Sequence, residues 1–344
     1  LMPGLPDLGE ALATGARLSY EPHPAGAIWA REAICAYYAE EFAAAIDPER
    51  IVLTASTSEA YSYCLKLLAD PNEEVLIPEP SYPLLRLLIE AEGLTAIPYP
   101  LHQGAGEWIL DRDYLLSAIT PRTRAIVCVN PNNPTGHFIS QPDAIWLREI
   151  FGNIGILSDE VFADYTWRKS PHRQRSFATL QAGNVFCLSG LSKICGLPQM
   201  KLGWIVMPPR QEVHSAMELV ADTYLSVSTP VQSAAVEWLA KRSQLQAPIR
   251  TRCQENLEIL QRQEKEGTYS LLPVEAGWSA ILRCHKSRGE EQWVLALLAQ
   301  NVWIQPGYYY DLSGGPHLVL SLLTPPRDTL SGLSLFKDEY VLPR

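Results

Sequence analysis

Short apolar runs alternate with longer stretches of helical length through the first two-thirds of the chain. The apolar runs have the length and the β-branched content of buried strands. They predict strands over 51–54, 75–77, 125–129, 155–158, 185–188 and 202–207. Stretches such as 58–69 and 82–91 between them have helical length. Strands that alternate with helices indicate βαβ units and a mostly parallel sheet covered on both faces.

The pattern changes after about residue 225. Thr229 and Pro230 have the sequence of a helix start, and Pro248 is predicted to open another helix that stops near Gly267. Strands are predicted beyond it over 279–284, 302–304 and 318–322. Helices followed by a few strands favour a separate α+β unit.

Length and composition agree with two units. The chain has 344 residues, whereas one domain usually has roughly 100–200. We predict a large domain over 28–225 and a small domain made of 1–27 and 226–344. The longest apolar run, Trp293 to Ala299, is far shorter than the about 20 residues of a membrane span. We therefore expect no membrane segment.

The net charge and the cysteines argue against several classes of protein. The net charge of −10 argues against nucleic acid as the main partner, because phosphate binding needs clustered Lys and Arg. One basic run, 167–175, is predicted to be a solvated loop, with a role toward a substrate anion as the alternative. Seven singly scattered cysteines indicate neither a disulfide framework nor a zinc site. Several of the cysteines lie in apolar runs and are predicted to be buried, so we expect a reducing compartment and hence the cytoplasm. No secretory signal pattern is expected at the start of the chain. Because the sequence starts at Leu1 rather than Met, an N-terminal piece is expected to precede it.

Three consecutive hydroxyl residues mark the first candidate site. A predicted strand runs through Ser56, Thr57 and Ser58 into a helix. A helix N-terminus offers free N–H groups and the positive end of the helix dipole, and hydroxyls add donors, so a phosphate would bind well there. The alternative is an ordinary helix cap made by Ser58.

Three further candidates follow predicted strands. Asn-Pro-Asn-Asn-Pro-Thr-Gly at 130–136 fixes a rigid turn at the edge where ligands bind in open parallel sheets. Asp159 ends another strand, where it could pair with a cationic ligand group or cap a helix. Lys193 lies among small residues beside an apolar strand. Partial desolvation there would lower its pKa and make it a usable amine nucleophile, although a lone lysine is usually on the surface.

In this chain order the four features resemble the class I/II aminotransferases, which are fold type I pyridoxal-phosphate enzymes. The most specific matches are Asn-Pro-Thr-Gly at 133–136, Asp-Glu-Val at 159–161 and Gly-Leu-Ser-Lys at 190–193. Supporting matches are Glu-Pro-Ser-Tyr-Pro at 79–83, Pro-Gly at 306–307, Gly203, and Tyr20 with Gly26 and Arg31. The resemblance covers nearly the whole chain. It implies an α/β fold with a mostly parallel sheet between helices, a smaller α+β domain, and a homodimer with shared active sites.

The resemblance also implies roles for single residues. Lys193 would form the Schiff base with the aldehyde of pyridoxal 5′-phosphate, and later move a proton from the substrate α-carbon. Asp159 would pair with the pyridine nitrogen, Asn133 would donate to the phenolic oxygen, and Tyr82 would stack on the ring. The phosphate would be held by Ser56, Thr57, Ser58, Lys201 and, from a neighbouring subunit, Tyr20.

Five positions depart from the family pattern, one of which is the atypical Gln199. Phe162 stands where a Tyr commonly donates to the phenolic oxygen, so the pKa of the cofactor–lysine linkage is expected to be raised. Gly190 replaces a frequent phosphate-binding Ser, and Lys201 stands where Arg is usual. Val319 replaces the Arg that clamps the substrate carboxylate, an interaction of about 1.5–3 kcal/mol.

The absence of that Arg argues against an ordinary α-amino-acid substrate unless another cation replaces it. Arg173 and Arg175 are candidates, because their loop follows the Asp159 strand. Trp278 resembles a family position beside the substrate, with a core aromatic of the small domain as the alternative. We predict transfer of an amino group between a small-molecule amino donor and a keto acid. A pyridoxal-phosphate-dependent lyase, decarboxylase or oxidase, and a non-catalytic regulatory protein, are the alternatives.

Overall fold

An eight-stranded sheet forms the centre of the molecule. The computed structural model describes residues 9–14, 22–104, 106–168, 170–180, 183–265 and 267–341. The strands follow the order β1-β8-β7-β6-β5-β2-β3-β4. Their bounds are β1 Ile51–Thr54, β2 Glu74–Glu79, β3 Thr95–Gln103, β4 Trp108–Leu110, β5 Thr123–Val129, β6 Ile156–Asp159, β7 Val185–Gly190 and β8 Gly203–Val206.

The five strands β3, β2, β5, β6 and β7 are parallel, whereas β4, β8 and β1 join antiparallel. Because parallel strands bury both faces, they have continuous apolar sequences, which is why most of them were predictable. The register pairs Val129 with Asp159 and Asp159 with Leu188. The carboxyl ends of β5, β6 and β7 therefore lie side by side.

Helices cover both faces of the large sheet and build two apolar cores. Alternate strand residues contribute to each core, Ile126 and Cys128 to one and Ala125 and Val127 to the other. The first core includes α2, α6 and α9, and the second includes α3, α4 and α8. The helices of this part are α1 Gly9–Thr14, α2 Ile28–Phe42, α3 Thr57–Leu68, α4 Leu84–Ala91, α5 Arg112–Ala118, α6 Gln141–Phe151, α7 Leu191–Ile194, α8 Gln211–Thr223 and α9 Thr229–Ala240.

A second, antiparallel sheet of four strands has the order β11-β12-β10-β9 and is joined by three helices. Together with the large sheet it confirms the predicted fold class. Helix α9, which was predicted to belong to the small domain, packs against α2 of the predicted large domain. The chain limits of the two domains therefore stay a prediction. The elements are α10 Arg242–Glu264, β9 Tyr269–Leu271, β10 Ser279–Cys284, α11 Glu290–Ala299, β11 Gln305–Pro306, β12 His317–Ser321 and α12 Pro326–Val341.

Some local predictions were wrong. Pro248 lies inside α10 instead of opening it. A proline removes one helical hydrogen bond, but the buried side chains of Leu245 and Ile249 on either side hold the helix against the core. The strand predicted over 302–304 is displaced to β11. Strand β3 was not predicted because Pro98 and Pro100 argue against a strand.

No helix in the described ranges combines the length and the apolar character that a membrane crossing requires.

Candidate functional site

The neighbouring ends of β5, β6 and β7 bring three predicted site segments to one edge of the sheet. Asp159 is the last residue of β6, and Lys193 lies in the short helix α7 that follows β7. The Asn130 N–H donates to the Asp159 carbonyl oxygen at 2.8 Å, so the Asn turn lies beside the carboxylate. Ligands bind at this edge in open parallel sheets.

The Lys193 amine lies between two aromatic rings. Its Nζ is 5.6 Å from the centre of the Phe162 ring and 5.3 Å from that of Trp278. Burial lowers the pKa of Lys193, while the charge of Asp159 opposes that change. A lower pKa enlarges the fraction of neutral amine, the form that attacks a carbonyl. The environment therefore matches the one predicted for an amine nucleophile.

The main chain at Lys193 is held separately from its side chain. The Tyr165 hydroxyl donates to the Lys193 carbonyl oxygen at 2.8 Å. Gln246 of α10 donates to the next carbonyl, that of Ile194, at 2.9 Å and also bonds Asp164. These bonds anchor α7 to α10 and leave the lysine amine unbonded to protein oxygens in the described ranges.

The Asp159 carboxylate is buried and accepts two hydrogen bonds. The Tyr61 hydroxyl donates to Oδ2 at 3.1 Å, and the Val161 N–H donates to Oδ1 at 3.3 Å. Burial raises the pKa of Asp159 to about 6, and both donors oppose that rise. Sequence reasoning missed Tyr61. Its position four residues after Thr57, one helical turn from the start of α3, was the available signal.

Asn133 joins the large sheet to the small one. Its Oδ1 accepts a hydrogen bond from the Ser279 hydroxyl of β10 at 3.2 Å. A Cβ on Gly136 would lie 2.4 Å from the Ala276 carbonyl oxygen, and Gly136 has a φ of +67°. Only glycine allows this close approach at that conformation.

Tyr82 precedes α4 and is half-buried. Its pKa is raised by burial and, second, by the charge of Asp159. The phenol and the carboxylate therefore lie close enough to interact across the sheet edge.

The start of α3 has the hydroxyl arrangement expected of an anion site. Ser56 is the helix cap, since its Oγ accepts from the Glu59 N–H at 3.2 Å. The alternative cap by Ser58 is wrong, because that residue lies inside the helix and is exposed. The N–H groups of Thr57 and Ser58 occupy the first two helical positions, where no preceding carbonyl in the helix can accept them.

Two glycines allow β7 and β8 to pass directly under this helix start. A Cβ on Gly203 would lie 3.0 Å from the Thr57 nitrogen, and one on Gly190 would lie 2.8 Å from the Leu202 carbonyl oxygen. Lys201, at the beginning of this passage, is exposed and forms no ion pair with a residue of the described ranges. Tyr20 lies outside the described residues.

The two candidate substrate arginines already contact protein carboxylates. Nη2 of Arg173 is 3.4 Å from Oε1 of Glu275, and its guanidinium covers the Phe138 ring at 5.3 Å. Arg175 pairs with Glu41. The prediction of a solvated loop over 167–175 is wrong at Arg173, which is buried. A role toward substrate for either arginine stays a prediction.

Trp278 belongs to the apolar core around the small sheet and also lies beside Lys193. Its ring meets Phe162 and Tyr165 edge to face, at 5.4 and 4.9 Å between centres. The same ring forms one wall of the space around Lys193. The two interpretations of Trp278 are therefore compatible.

Val319 lies in β12 with only 2% of its surface exposed. It pairs with Ile281 of β10, and alternate residues of a strand share a face. Val319 therefore lies on the same face of the small sheet as Ser279, which contacts the Asn turn. The position is close to the site, but it carries an apolar side chain.

Known proteins of one family are similar to this chain in sequence. The family model described as aminotransferase class I and II matches residues 5–322. The chain is 31% identical to tyrosine aminotransferase of Mus musculus over 245 residues, which are 68% of this chain and 52% of that protein. It is 30% identical to glutamate-pyruvate aminotransferase AlaA of Escherichia coli K12 over 212 residues, 60% of this chain and 52% of that protein. The chain spans about half the length of these curated relatives.

Solved structures share the fold. An alanine aminotransferase from Pyrococcus furiosus superposes with a TM-score of 0.87 at 24% identity and covers 97% of this chain and 87% of its own. An aromatic aminotransferase from Pyrococcus horikoshii gives 0.85 at 20% identity, with 96% and 90% covered. The family model, the fold and the grouping of Asn133, Asp159 and Lys193 at one sheet edge agree: the chain belongs to the class I and II aminotransferases.

Proposed function

We propose that this protein is a pyridoxal-phosphate-dependent aminotransferase in which Lys193 holds the cofactor. The observation that carries the proposal is a half-buried lysine with a lowered pKa on the same sheet edge as a buried carboxylate. The reaction moves an amino group between an amino donor and a keto acid.

The residues present fit pyridoxal phosphate. Asp159 is buried without an ion pair to a residue of the described ranges, and a pyridinium N–H would supply the missing positive partner. Thr57 and Ser58 offer free N–H groups at a helix start for a phosphate, and Lys201 adds a nearby positive charge. Tyr82 would cover the ring face.

The orientation of Asn133 supports its role toward the phenolic oxygen. Because the Ser279 hydroxyl donates to Oδ1, the amide is turned so that its Nδ2 hydrogens remain available for donation. Ser279 therefore acts as a positioning residue for Asn133, a role that sequence reasoning did not assign.

Bound pyridoxal phosphate supplies an electron sink for a carbanion at the substrate α-carbon. The residues of the chain supply the rest. With the cofactor bound, Asp159 would keep a proton on the pyridine nitrogen, and the Lys193 amine would accept the α-proton at Nζ. Phe162 and Trp278 lie beside that amine and partly shield it from water. Tyr165 holds the lysine main chain while the side chain moves.

We further propose a cytoplasmic homodimer with shared active sites. All seven cysteines are free and six are buried, which suits a reducing compartment. Leu84 and Leu87 of α4, directly after Tyr82, are 56% and 57% exposed and offer an apolar surface to a second subunit. Light scattering of the purified protein tests the dimer, and a monomer at micromolar concentration would contradict it.

The function is tested by a single-turnover reaction with each common amino acid. With the amino acid that serves as donor, we expect one keto acid per site together with pyridoxamine phosphate. Release of carbon dioxide, ammonia or peroxide without pyridoxamine phosphate would instead support one of the alternative reactions. Because Val319 cannot pair with a carboxylate, weak rates are expected for common α-amino acids unless a nearby arginine compensates. Ordinary rates with aspartate, alanine or an aromatic amino acid would refute the inference from Val319.

A further inference from the structure

A cavity of about 290 Å³ lies between the edge of the large sheet and the small sheet. Glu79 at the end of β2 and the 101–103 segment of β3 form one wall. Arg283 of β10, His317 of β12 and the 311–314 segment form the other. The predicted cofactor and substrate residues are not among those that line it.

Arg283 brings an uncompensated positive charge to this cavity. Its Nε donates to His317 Nε2 at 3.4 Å, and its Nη2 donates to the Gln103 side-chain oxygen. Burial, with help from the Arg283 charge, lowers the pKa of His317 to about 4, so the imidazole is neutral at neutral pH. Within the described residues Arg283 has no carboxylate partner, unlike Arg173 and Arg175.

Glu79 and Asp311 bring negative charge to the same cavity. Neither carboxylate forms an ion pair or accepts a hydrogen bond from a residue of the described ranges. Burial and, second, the charge of Asp311 raise the pKa of Glu79, whereas the charge of Arg86 opposes that rise. Two like charges beside a partly desolvated space cost free energy that a bound cation would offset.

Opposite charges that line one cavity without touching each other leave room for a ligand that carries both signs. An anion alone would meet Glu79 and Asp311, and a cation alone would meet Arg283. We propose that this cavity is a second binding site, for a free amino acid or a similar small zwitterion. The ammonium group lies against the two carboxylates and the carboxylate group against the guanidinium. Leu101 and Trp108 offer an apolar wall to its side chain.

The cavity is separate from the proposed reaction centre. Ser279, which contacts Asn133, is four residues from Arg283 along β10, roughly 13 Å at the rise of a strand. Ile281 and Val319 fill the sheet face between them and are 1% and 2% exposed. A zwitterion at Arg283 therefore cannot reach the Lys193 amine, and the proposal does not depend on the chemistry at that lysine.

The test is calorimetric titration of the protein, purified with pyridoxal phosphate, with N,N-dimethylglycine. This probe keeps both charges, but its tertiary amine cannot condense with an aldehyde. We expect one site per chain, weakened at least tenfold by Arg283→Met and by Glu79→Gln. Affinity should be unchanged in Lys193→Ala and in Arg327→Met, a matched control in which an exposed arginine next to Asp328 is removed. Should Arg283→Met fail to fold, Arg283→Lys replaces it and should weaken binding while keeping the charge.

Several outcomes would overturn the proposal. One is a dissociation constant weaker than about 10 mM in the unmodified protein. Another is an affinity in Arg283→Met and in Glu79→Gln that equals the affinity of the unmodified protein. Loss of binding in Lys193→Ala would place the probe at the reaction centre. Acetate that binds as tightly as the probe, regardless of Glu79→Gln, would identify a simple anion site. Failure of the proposed aminotransferase reaction would appear in the keto-acid assay and would leave this titration unaffected.

Discussion

The carboxyl edge of the large sheet and the facing surface of the small sheet carry different kinds of information. At the large sheet, Asp159 and Lys193 are placed by strand ends, and their surroundings tune their pKa values. On the small sheet, the position for which the resemblance implies an arginine carries Val319, packed beside Ile281. The candidate residues of the large sheet are positioned by strand ends, whereas this position depends on a single side chain of a sheet face.

The largest effect is expected at the lysine. Lys193→Ala removes the amine that accepts the α-proton and should reduce single-turnover keto-acid formation by roughly 10³-fold or more. Lys66→Ala, which removes an exposed lysine paired with Glu92, is the control and should be nearly silent. Borohydride reduction followed by peptide mapping should place the pyridoxyl group on Lys193. Its recovery on another lysine would refute the site assignment.

Asp159 should matter far more than Asn133. Asp159→Ala removes the group that holds the pyridine proton and should cost about 10²–10⁴-fold in rate. Asn133→Ala removes one hydrogen bond to the phenolic oxygen and should cost about tenfold. The same single-turnover assay compares both variants. Similar small losses of rate in the two variants would show that the reaction does not depend on protonation of the pyridine ring.

Tyr61→Phe tests whether the hydrogen bond from the Tyr61 hydroxyl to the Asp159 carboxylate contributes to cofactor binding. The lost bond to a charged group corresponds to about 1.5–3 kcal/mol, a factor of roughly 10 to 100. Since the phenol lowers the pKa of Asp159, its removal should raise that pKa further and weaken cofactor binding. Absorbance titration with pyridoxal phosphate measures the affinity. Tyr99→Phe, which removes a buried hydroxyl bonded to the Val127 carbonyl oxygen, is the matched control. Equal weakening in both variants would indicate a general packing effect.

The smallest effect is expected at Phe162, on the boundary between the two regions. Phe162→Tyr adds a donor toward the phenolic oxygen, which favours its ionised form. The midpoint of the cofactor–lysine absorbance should therefore move to lower pH, by up to about one unit for one hydrogen bond. A spectrophotometric pH titration of the unmodified protein and the variant tests this shift. An unchanged or higher midpoint in the variant would contradict the inference that position 162 lacks a donor to the phenolic oxygen.

Local sequence was sufficient for residues whose place depends on neighbours in the chain. Asp159 and Lys193 were candidates because they stand at or after the ends of predicted apolar strands, and the family resemblance then implied their roles. The sequence could not show which of three adjacent hydroxyl residues caps α3. The structure identifies Ser56 as the cap, because the Glu59 N–H donates to its Oγ. Tyr61 was missed because its partner lies 98 residues away. The opposing charges of Glu79 and Arg283 escaped for the same reason, since their meeting depends on how two sheets are placed.

The close passage at Gly190 also restricts how this protein can evolve. A serine there, the residue that the family resemblance implies, would bring its Cβ to 2.8 Å from the Leu202 carbonyl oxygen and 3.0 Å from the Gly203 Cα. Both are backbone atoms, so β8 would have to move before the hydroxyl could return. A side chain at position 190 is therefore penalised by contacts with the backbone, and a stronger contact to a phosphate would have to come from another position, such as Lys201.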